Sequence, residues 1–188
     1  MLVVGPYRAM LSGSTTRLQA GKGRTSCRSR CPAGRFQRGI QIQRTRSAID
    51  GADRALRFYR DVFRARIADS VEIEGAVVHA ELDFGHGRLQ IGEPSALSGL
   101  VATPSDKPVC YSIGLYCPNV DAVTERATAA GATLLEPPTT FVSGDRFASI
   151  RDPFGVRWAV MTRVEDLSEE ESAARVAAWA KEQADGEK

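Results

Sequence analysis

The feature that most constrains the fold of this chain is an internal repeat. The segment GADRALRFYRDVFRARI begins at Gly51, and a segment of the same pattern, NVDAVTERATAAGATLL, begins 68 residues later at Asn119. A second pair, LDFGHGRLQI from Leu82 and RDPFGVRWAV from Arg151, is separated by 69 residues. Because two independent segments share nearly one offset, the sequence predicts a duplicated structural unit.

Each copy of the repeat has the residue pattern of one helix and several strands. Apolar residues recur at three- and four-residue steps over about 52–64, which predicts an amphipathic helix. Val78, Ala80 and Leu82 alternate with polar residues, which predicts a strand that buries those three side chains. In the second copy a strand precedes the helix, and the residues from Asp152 to Gly155 form a turn between the last two strands. The order is therefore βαβββ in each copy.

These patterns predict an α+β fold in which two tandem βαβββ units form a curled mixed sheet around a cleft. The domain is expected over residues 47–167, with copies at about 47–99 and 108–167. A C-terminal helix and tail follow over 168–188, and Ser168 with Glu171 predicts a capping box at its start. The apolar side of that helix is expected to pack on the domain or on a second subunit, and its residues are Ala173, Val176, Ala177 and Ala180.

Charge is distributed unevenly along the 188 residues. Residues 1–49 hold ten bases and no acid, whereas the whole chain has 25 bases, 23 acids and a net charge of +2. Residues 1–46 lack a sustained apolar period, so we interpret them as a disordered basic arm or a non-native extension. An organellar transit peptide and a nucleic-acid-binding arm are the alternatives. No stretch approaches the roughly 20 apolar residues of a membrane-spanning helix.

Cysteine usage points to a reduced, cytoplasmic protein. Cys27 and Cys31 lie in the basic arm, and Cys110 and Cys117 flank an apolar run. Seven residues along a strand is an odd offset, which places Cys110 and Cys117 on opposite faces and argues against a bridge between them. We expect both to be small buried hydrophobic residues.

The segments GADRALRFYRDVF, VVHAELDFG, NVDAVTERATAAGATLL and RFASIRDPFGVRWAV, together with RVEDLS, resemble the vicinal oxygen chelate superfamily. This superfamily includes glyoxalases, bleomycin-resistance proteins and extradiol dioxygenases, and the resemblance spans about residues 47–171. One departure is that GIQIQRTRSA, where the first strand belongs, is polar and basic, which leaves the existence of that strand open. A second departure is Arg64, which stands where the family usually ends its first helix with glycine.

The resemblance implies four metal-ligand positions, because enzymes of the family hold a divalent ion with His, Gln or Glu on the first and last strands of each unit. The matching residues here are Arg44, Gln90, Ser112 and Ala159. Only Gln90 has a side chain of the required type, so three or more protein ligands cannot be assembled there. The usual metal site is lost on this interpretation, and neither a metal nor another cofactor is expected.

Several polar side chains are candidates for ligand contacts in the cleft. His79 shares a strand face with Glu81, Ser112 shares one with Tyr116, and Arg157 and Met161 alternate away from Trp158, which is expected in the core. The predicted ligand-binding set is His79, Glu81, Gln90, Ser112, Tyr116, Arg157 and Met161. Solvated polar residues or structural pairs are the alternative interpretation, and a metal held by His79, Glu81 and Gln90 is a further one. No catalytic residue can be assigned from these patterns.

The sequence thus favours a glyoxalase-like, metal-free protein that binds a small molecule, with a homodimer as one assembly that it allows. Enzymatic activity is left open, and the loss of three metal-ligand positions weighs against it. One alternative is a metal-dependent lyase, isomerase or dioxygenase of the same superfamily. A second alternative is nucleic-acid or partner binding through the basic arm.

Overall fold

The computed structural model describes residues 45–186, and this part of the chain contains eight strands and three α-helices. The first five elements are β1 (Thr45–Ala48), α1 (Ala52–Phe63), β2 (Arg66–Ile73), β3 (Ala76–Asp83) and β4 (Arg88–Gly92). A linker with a short 3-10 helix at Ala96–Ser98 follows. The remaining elements are β5 (Ile113–Tyr116), α2 (Val120–Ala129), β6 (Thr133–Thr140), β7 (Asp145–Arg151), β8 (Arg157–Arg163) and α3 (Glu169–Gly186).

The strands form two four-stranded sheets of identical topology. Sheet 1 has the order β1-β4-β3-β2, and sheet 2 has the order β5-β8-β7-β6. In each sheet the first strand pairs in parallel with the last strand of its unit, and the other neighbours are antiparallel. The predicted α+β fold of two tandem βαβββ units with a C-terminal helix is confirmed.

The first strand, which the polar sequence left open, is present. Strand β1 begins at Thr45, two residues before the predicted start of the domain, and places Arg46 opposite Gln90 of β4. Ser47 and Ala48 are buried at its end, so the short strand still contributes to the interior. The rest of the predicted basic arm, with Arg44, Cys27 and Cys31, lies outside the described residues.

A single core contains helix α1, helix α2 and one face of each sheet. Tyr59 and Phe63 of α1 contact the Trp158 ring of β8, with ring centroids 5.2 Å and 4.6 Å apart. Trp158 is 1% exposed, which confirms its predicted place in the core. Helix α1 also packs on β3, so it contacts both sheets. The opposite face of each sheet, which we call the open face, is turned away from this core.

The buried face of β3 differs from the alternation that the sequence predicted. Val77 is 1% exposed and Ala80 is fully buried, whereas Val78 is only half-buried. The cause is a register shift in the β2–β3 pairing, where Val71 lies opposite His79 and the next residue lies opposite Val77. A bulge of this kind interrupts the two-residue period.

The buried carboxylate of Asp152 joins the two units. Its Oδ2 accepts hydrogen bonds from the Tyr59 hydroxyl at 2.7 Å and from Trp158 Nε1 at 2.9 Å. Its Oδ1 accepts from the backbone N–H groups of Phe154 and Val156, both at 2.9 Å. Burial raises the pKa of Asp152, and these hydrogen bonds offset part of that rise. Burial and the neighbouring carboxylate also raise the pKa of Tyr59.

Helix α3 is attached to the β6–β7 end of sheet 2 through one side. The capping box at its start is confirmed, because Glu171 N–H donates to Ser168 Oγ at 3.2 Å and Ser168 N–H donates to the Glu171 carboxylate at 3.0 Å. Trp179 stands edge-on to Phe141, with ring centroids 5.0 Å apart. Of the predicted apolar side only Val176 is half-buried, and the other three residues, Ala173, Ala177 and Ala180, are exposed. Their contact with a second subunit stays a prediction.

The two cysteines of the described residues differ in exposure. Cys110 is exposed, so the prediction that it is buried is wrong, because it precedes β5 in the linker rather than lying in a strand. Cys117 is half-buried, with its Sγ 3.7 Å from Thr162 Oγ1. Among the described residues no helix is long and apolar enough to cross a membrane.

Candidate functional site

The open face of sheet 1 is lined by charged and amide side chains. Strand pairing places Arg46, Gln90 and Glu81 side by side across β1, β4 and β3. Glu81 is 7% exposed and forms an ion pair with Arg88, while Gln90 Nε2 donates to its other oxygen at 3.4 Å. The Arg46 guanidinium donates to the Val78 carbonyl oxygen at 3.0 Å. This row therefore holds a buried carboxylate between basic and amide groups.

His79 and Glu81, which were predicted as a pair, have different neighbours in the structure. Glu81 is held from β4 by Arg88 and Gln90, as described above. His79 is half-buried and lies opposite Val71, at the point where the β2–β3 register shifts. Both residues remain candidates for ligand contact, and the structure adds Arg88 as the ionic partner of Glu81.

The open face of sheet 2 has two rows of different character. In the first row the strand pairing aligns four residues, Gly114, Ala159, Ser149 and Glu136. In the second row it aligns Tyr116, Met161, Phe147 and Thr139. The first row has small side chains on its neighbouring residues Gly114, Ala159 and Ser149, whereas the second row is mainly apolar.

Charged residues lie on either side of these two rows, along the direction of the strands. Arg157 Nε donates to Ser149 Oγ at 3.1 Å, and its Nη2 lies 3.4 Å from the Glu136 carboxylate. At the other end the buried Asp145 accepts from Arg163 Nε at 2.8 Å and from the Tyr116 hydroxyl at 3.2 Å. The hydrogen bond that the Tyr116 hydroxyl donates to Asp145 thereby fixes Tyr116, whose side chain is otherwise exposed.

The predicted site residues divide between the two faces. Glu81 and Gln90 adjoin each other on sheet 1, and Tyr116, Arg157 and Met161 lie on sheet 2. Ser112 precedes β5, and its hydroxyl donates to the Arg157 carbonyl oxygen at 3.4 Å. Phe147 and Ser149 are not among the predicted site residues, although their alternation with the buried Ala148 and Ile150 in RFASIR indicates that they lie on the open face.

The residues at the family's metal positions do not fit a divalent ion. The sequence placed the first-strand positions at Arg44, which lies outside the described residues, and at Ser112, which precedes β5. The parallel strand pairs instead place Arg46 opposite Gln90 and Gly114 opposite Ala159. Arginine carries a fixed positive charge and offers no acceptor, and alanine and glycine have no donor side chain. In residues 45–186 no group of three or more His, Cys, Asp or Glu side chains is arranged to hold a metal. One amide is too few for a protein metal site of the usual kind.

Comparison with known proteins places this geometry in a family. Two mycobacterial proteins of uncharacterized function, Mb0911c of Mycobacterium bovis and Rv0887c of Mycobacterium tuberculosis, are each 30% identical over 134 residues. The match covers 65% of this chain and 84% and 75% of those proteins, respectively.

Solved structures show the same fold. TioX from Micromonospora sp. ML1 is 26% identical with a TM-score of 0.53, covering 66% of this chain and 99% of its own. A glyoxalase/bleomycin resistance protein/dioxygenase family enzyme from Burkholderia phytofirmans is 19% identical with a TM-score of 0.55, covering 64% and 97%. The family model described as Glyoxalase/Bleomycin resistance protein/Dioxygenase superfamily matches residues 41–160. The chain belongs to this superfamily.

Proposed function

We propose that this protein binds a small organic molecule without the help of a divalent metal. The observation that carries the proposal is the set of residues at the middle of the two open faces, Arg46 and Gln90 on sheet 1 and Gly114 and Ala159 on sheet 2. These residues cannot assemble a metal site. The same faces offer hydrogen-bonding groups and apolar side chains, which are the components of a small-molecule site.

The ligand lies in a cleft between the open face of a sheet 1 and the open face of a sheet 2. In one chain both sheets pack their other faces on a common core, so the two open faces point away from that core. A cleft between sheet 1 and sheet 2 therefore requires a second copy of the chain, and we propose a homodimer. Pairing the polar face of one protomer with the more apolar face of its partner surrounds a ligand with both kinds of contact.

The cleft contacts come from the predicted residues and from the neighbours that hold them. Glu81 and Gln90 supply an acceptor and an amide on sheet 1, with His79 at the edge of that face. Arg157 supplies a donor on sheet 2, and the Tyr116 hydroxyl, which donates its hydrogen to Asp145, supplies an acceptor. These polar groups orient a ligand, and the apolar row containing Met161 covers its hydrophobic part.

A metal-dependent enzyme of the superfamily is the competing hypothesis, and the metal content of the purified protein separates the two. We would record native and denaturing mass spectra of the full chain purified from its own host without chelator. A native mass equal to twice the denatured mass supports a metal-free homodimer. An excess of one divalent ion per site refutes the metal-free proposal, and a native mass equal to one chain refutes the homodimer.

A further inference from the structure

We propose that the ligand is a planar aromatic carboxylate, with its ring on sheet 2 and its acid group at Arg157. This inference rests on the proposed function and specifies the chemical class of the ligand. It follows from three features of the open face of sheet 2, namely an uncovered strip, an apolar row beside it, and an arginine at its end.

The uncovered strip consists of Gly114 and Ala159, which lie side by side on β5 and β8. The backbone does not require glycine at position 114, because Gly114 is absent from the glycines with positive φ. Packing does not require it either, since an added Cβ would lie 3.4 Å from the Met161 methyl carbon, an ordinary van der Waals distance. Gly114 is exposed and Ala159 is half-buried, so these two small residues leave the strands accessible beside the Met161 methyl group, at the place where sheet 1 carries Arg46 and Gln90.

The row beside the strip is apolar and accessible. Met161 and Phe147 are half-buried, and Tyr116 is 54% exposed. The Phe141 ring stands edge-on to the Phe147 ring, with ring centroids 6.4 Å apart. A flat ring lying on the strip would contact the edge of this row, and burial of aromatic surface is a major source of binding energy.

Arg157 is the cation that is best placed for an acid group on that ring. It lies two residues before Ala159 on the same strand, and its side chain is 40% exposed. Its bonds to Ser149 and Glu136 use Nε and Nη2, and neither uses Nη1. The 3.4 Å distance to Glu136 is long for an ion pair, so a ligand carboxylate can compete for the guanidinium.

The other arginine at this face is less suitable. Arg163 Nε donates at 2.8 Å to Asp145, whose side chain is only 4% exposed. Drawing Arg163 toward a ligand would leave a buried carboxylate short of a partner, which is costly. The ionic partner of Arg157 is instead Glu136, which is half-buried and 3.4 Å away. The planar guanidinium of Arg157 is suited to bind a carboxylate through two hydrogen bonds.

The test uses two probes of the same shape, 1-naphthoate and the neutral 1-naphthamide, titrated calorimetrically into the full-length protein. We expect 1-naphthoate to bind roughly tenfold or more tightly than 1-naphthamide, since its carboxylate forms a pair of opposite charges with the Arg157 guanidinium, whereas the amide oxygen is an uncharged acceptor. The R157Q variant should weaken binding of 1-naphthoate to about the level of 1-naphthamide and change binding of 1-naphthamide far less. The matched control is R60Q, at an exposed arginine of α1 paired with Asp61, which should bind both probes as the wild type does.

The strip is tested with A159L, which places a branched side chain where the ring would lie. We expect loss of binding for both probes, with an unchanged circular dichroism spectrum. If A159L does not fold, G114A is the substitute, because its single added methyl group meets only an ordinary contact, and it should weaken both probes by several-fold.

The outcomes separate this inference from the proposed function. Equal affinity for the two probes, or no effect of R157Q, refutes the carboxylate. Full binding by A159L or G114A refutes the ring position. If the wild type binds neither probe, the ligand class is wrong, whereas the proposed function is then judged by its own measurement of metal content and assembly.

Discussion

Removing the Tyr59 hydroxyl tests whether the buried bond to Asp152 holds the two units together. Phenylalanine at position 59 keeps the ring, and hence the contacts with Phe63 and Trp158. It deletes a 2.7 Å hydrogen bond that a fully buried donor makes to a buried carboxylate. Asp152 keeps its bonds from Trp158 and from two backbone N–H groups, so it does not become an isolated charge.

The expected loss follows from the chemistry of that single bond. A hydrogen bond to a charged group contributes about 1.5–3 kcal/mol, so Y59F should lower the free energy of unfolding by about 2 kcal/mol. For a domain of this size that corresponds to roughly 4–8 °C in Tm. The hydroxyl also lowers the pKa of Asp152. Without the hydroxyl, the pKa of Asp152 rises further. The folded state then binds one more proton than the unfolded state up to a higher pH, and the free energy of unfolding falls with increasing pH over that wider range.

The assay is urea unfolding followed by circular dichroism, with Y111F as the matched control. Tyr111 is exposed, and its hydroxyl lies 3.0 Å from Thr103 Oγ1, so Y111F should change stability by less than about 0.5 kcal/mol. The slope of free energy against urea should be the same for both variants. If Y59F costs no more than Y111F, or costs as much in a D152A background, which has no side-chain acceptor, as alone, the bond is not what joins the units.

Three other changes probe single positions of the backbone and surface. R64G should raise the free energy of unfolding by about 0.5–1 kcal/mol in urea, because Arg64 ends helix α1 at φ +61°, where a side chain is strained; no gain would contradict this. G155A should lower the free energy of unfolding by more than about 2 kcal/mol, because Gly155 has φ +87° and an added Cβ would lie 2.6 Å from a linker carbonyl oxygen. G75A, at φ +79° and with open space around its Cβ, should lower it by only about 1 kcal/mol. Equal losses would show that the close contact at Gly155 has no effect. Hydrogen bonds from a backbone N–H and an arginine lower the pKa of Asp83, so its stabilisation is present above about pH 4 and is lost as pH falls through the lower folded value. D83N should flatten that acid-side loss in unfolding curves measured from pH 2 to 5, and an unchanged pH profile would contradict it.

The parts of the fold that follow from local residue patterns could be predicted from the sequence. The three- to four-residue period gave helix α1, the Ser168–Glu171 pair gave the start of α3, and the repeat offset gave two units of one topology. The bulge that buries Val77 instead of Val78 could not be predicted, because it arises from how β3 pairs with β2. The exposure of Cys110 depends on where β5 begins, which an apolar run alone does not fix.

The candidate site was predicted less completely than the fold. Alternation correctly placed Arg157 and Met161 away from Trp158, since side chains on one strand face recur every second residue. The partners of these residues lie on other strands, and sequence spacing does not reveal them. Ser149 and Glu136 are examples, because both contact Arg157 only through the β6–β7–β8 pairing.

The Tyr59–Asp152 bond also means that the two halves of the repeat are not interchangeable. By the repeat offsets, Asp83 is the counterpart of Asp152, and Ala127 is the counterpart of Tyr59. Asp83 is paired instead with Arg66 near the surface, so a mirror-image bond does not exist. A chain built from two second units would bury the aspartate with no tyrosine to donate to it, because alanine occupies the tyrosine position in the second unit. A recombinant that replaces the first half with a second copy of the second half would therefore have a weaker junction between its halves, whatever ligand the protein carries.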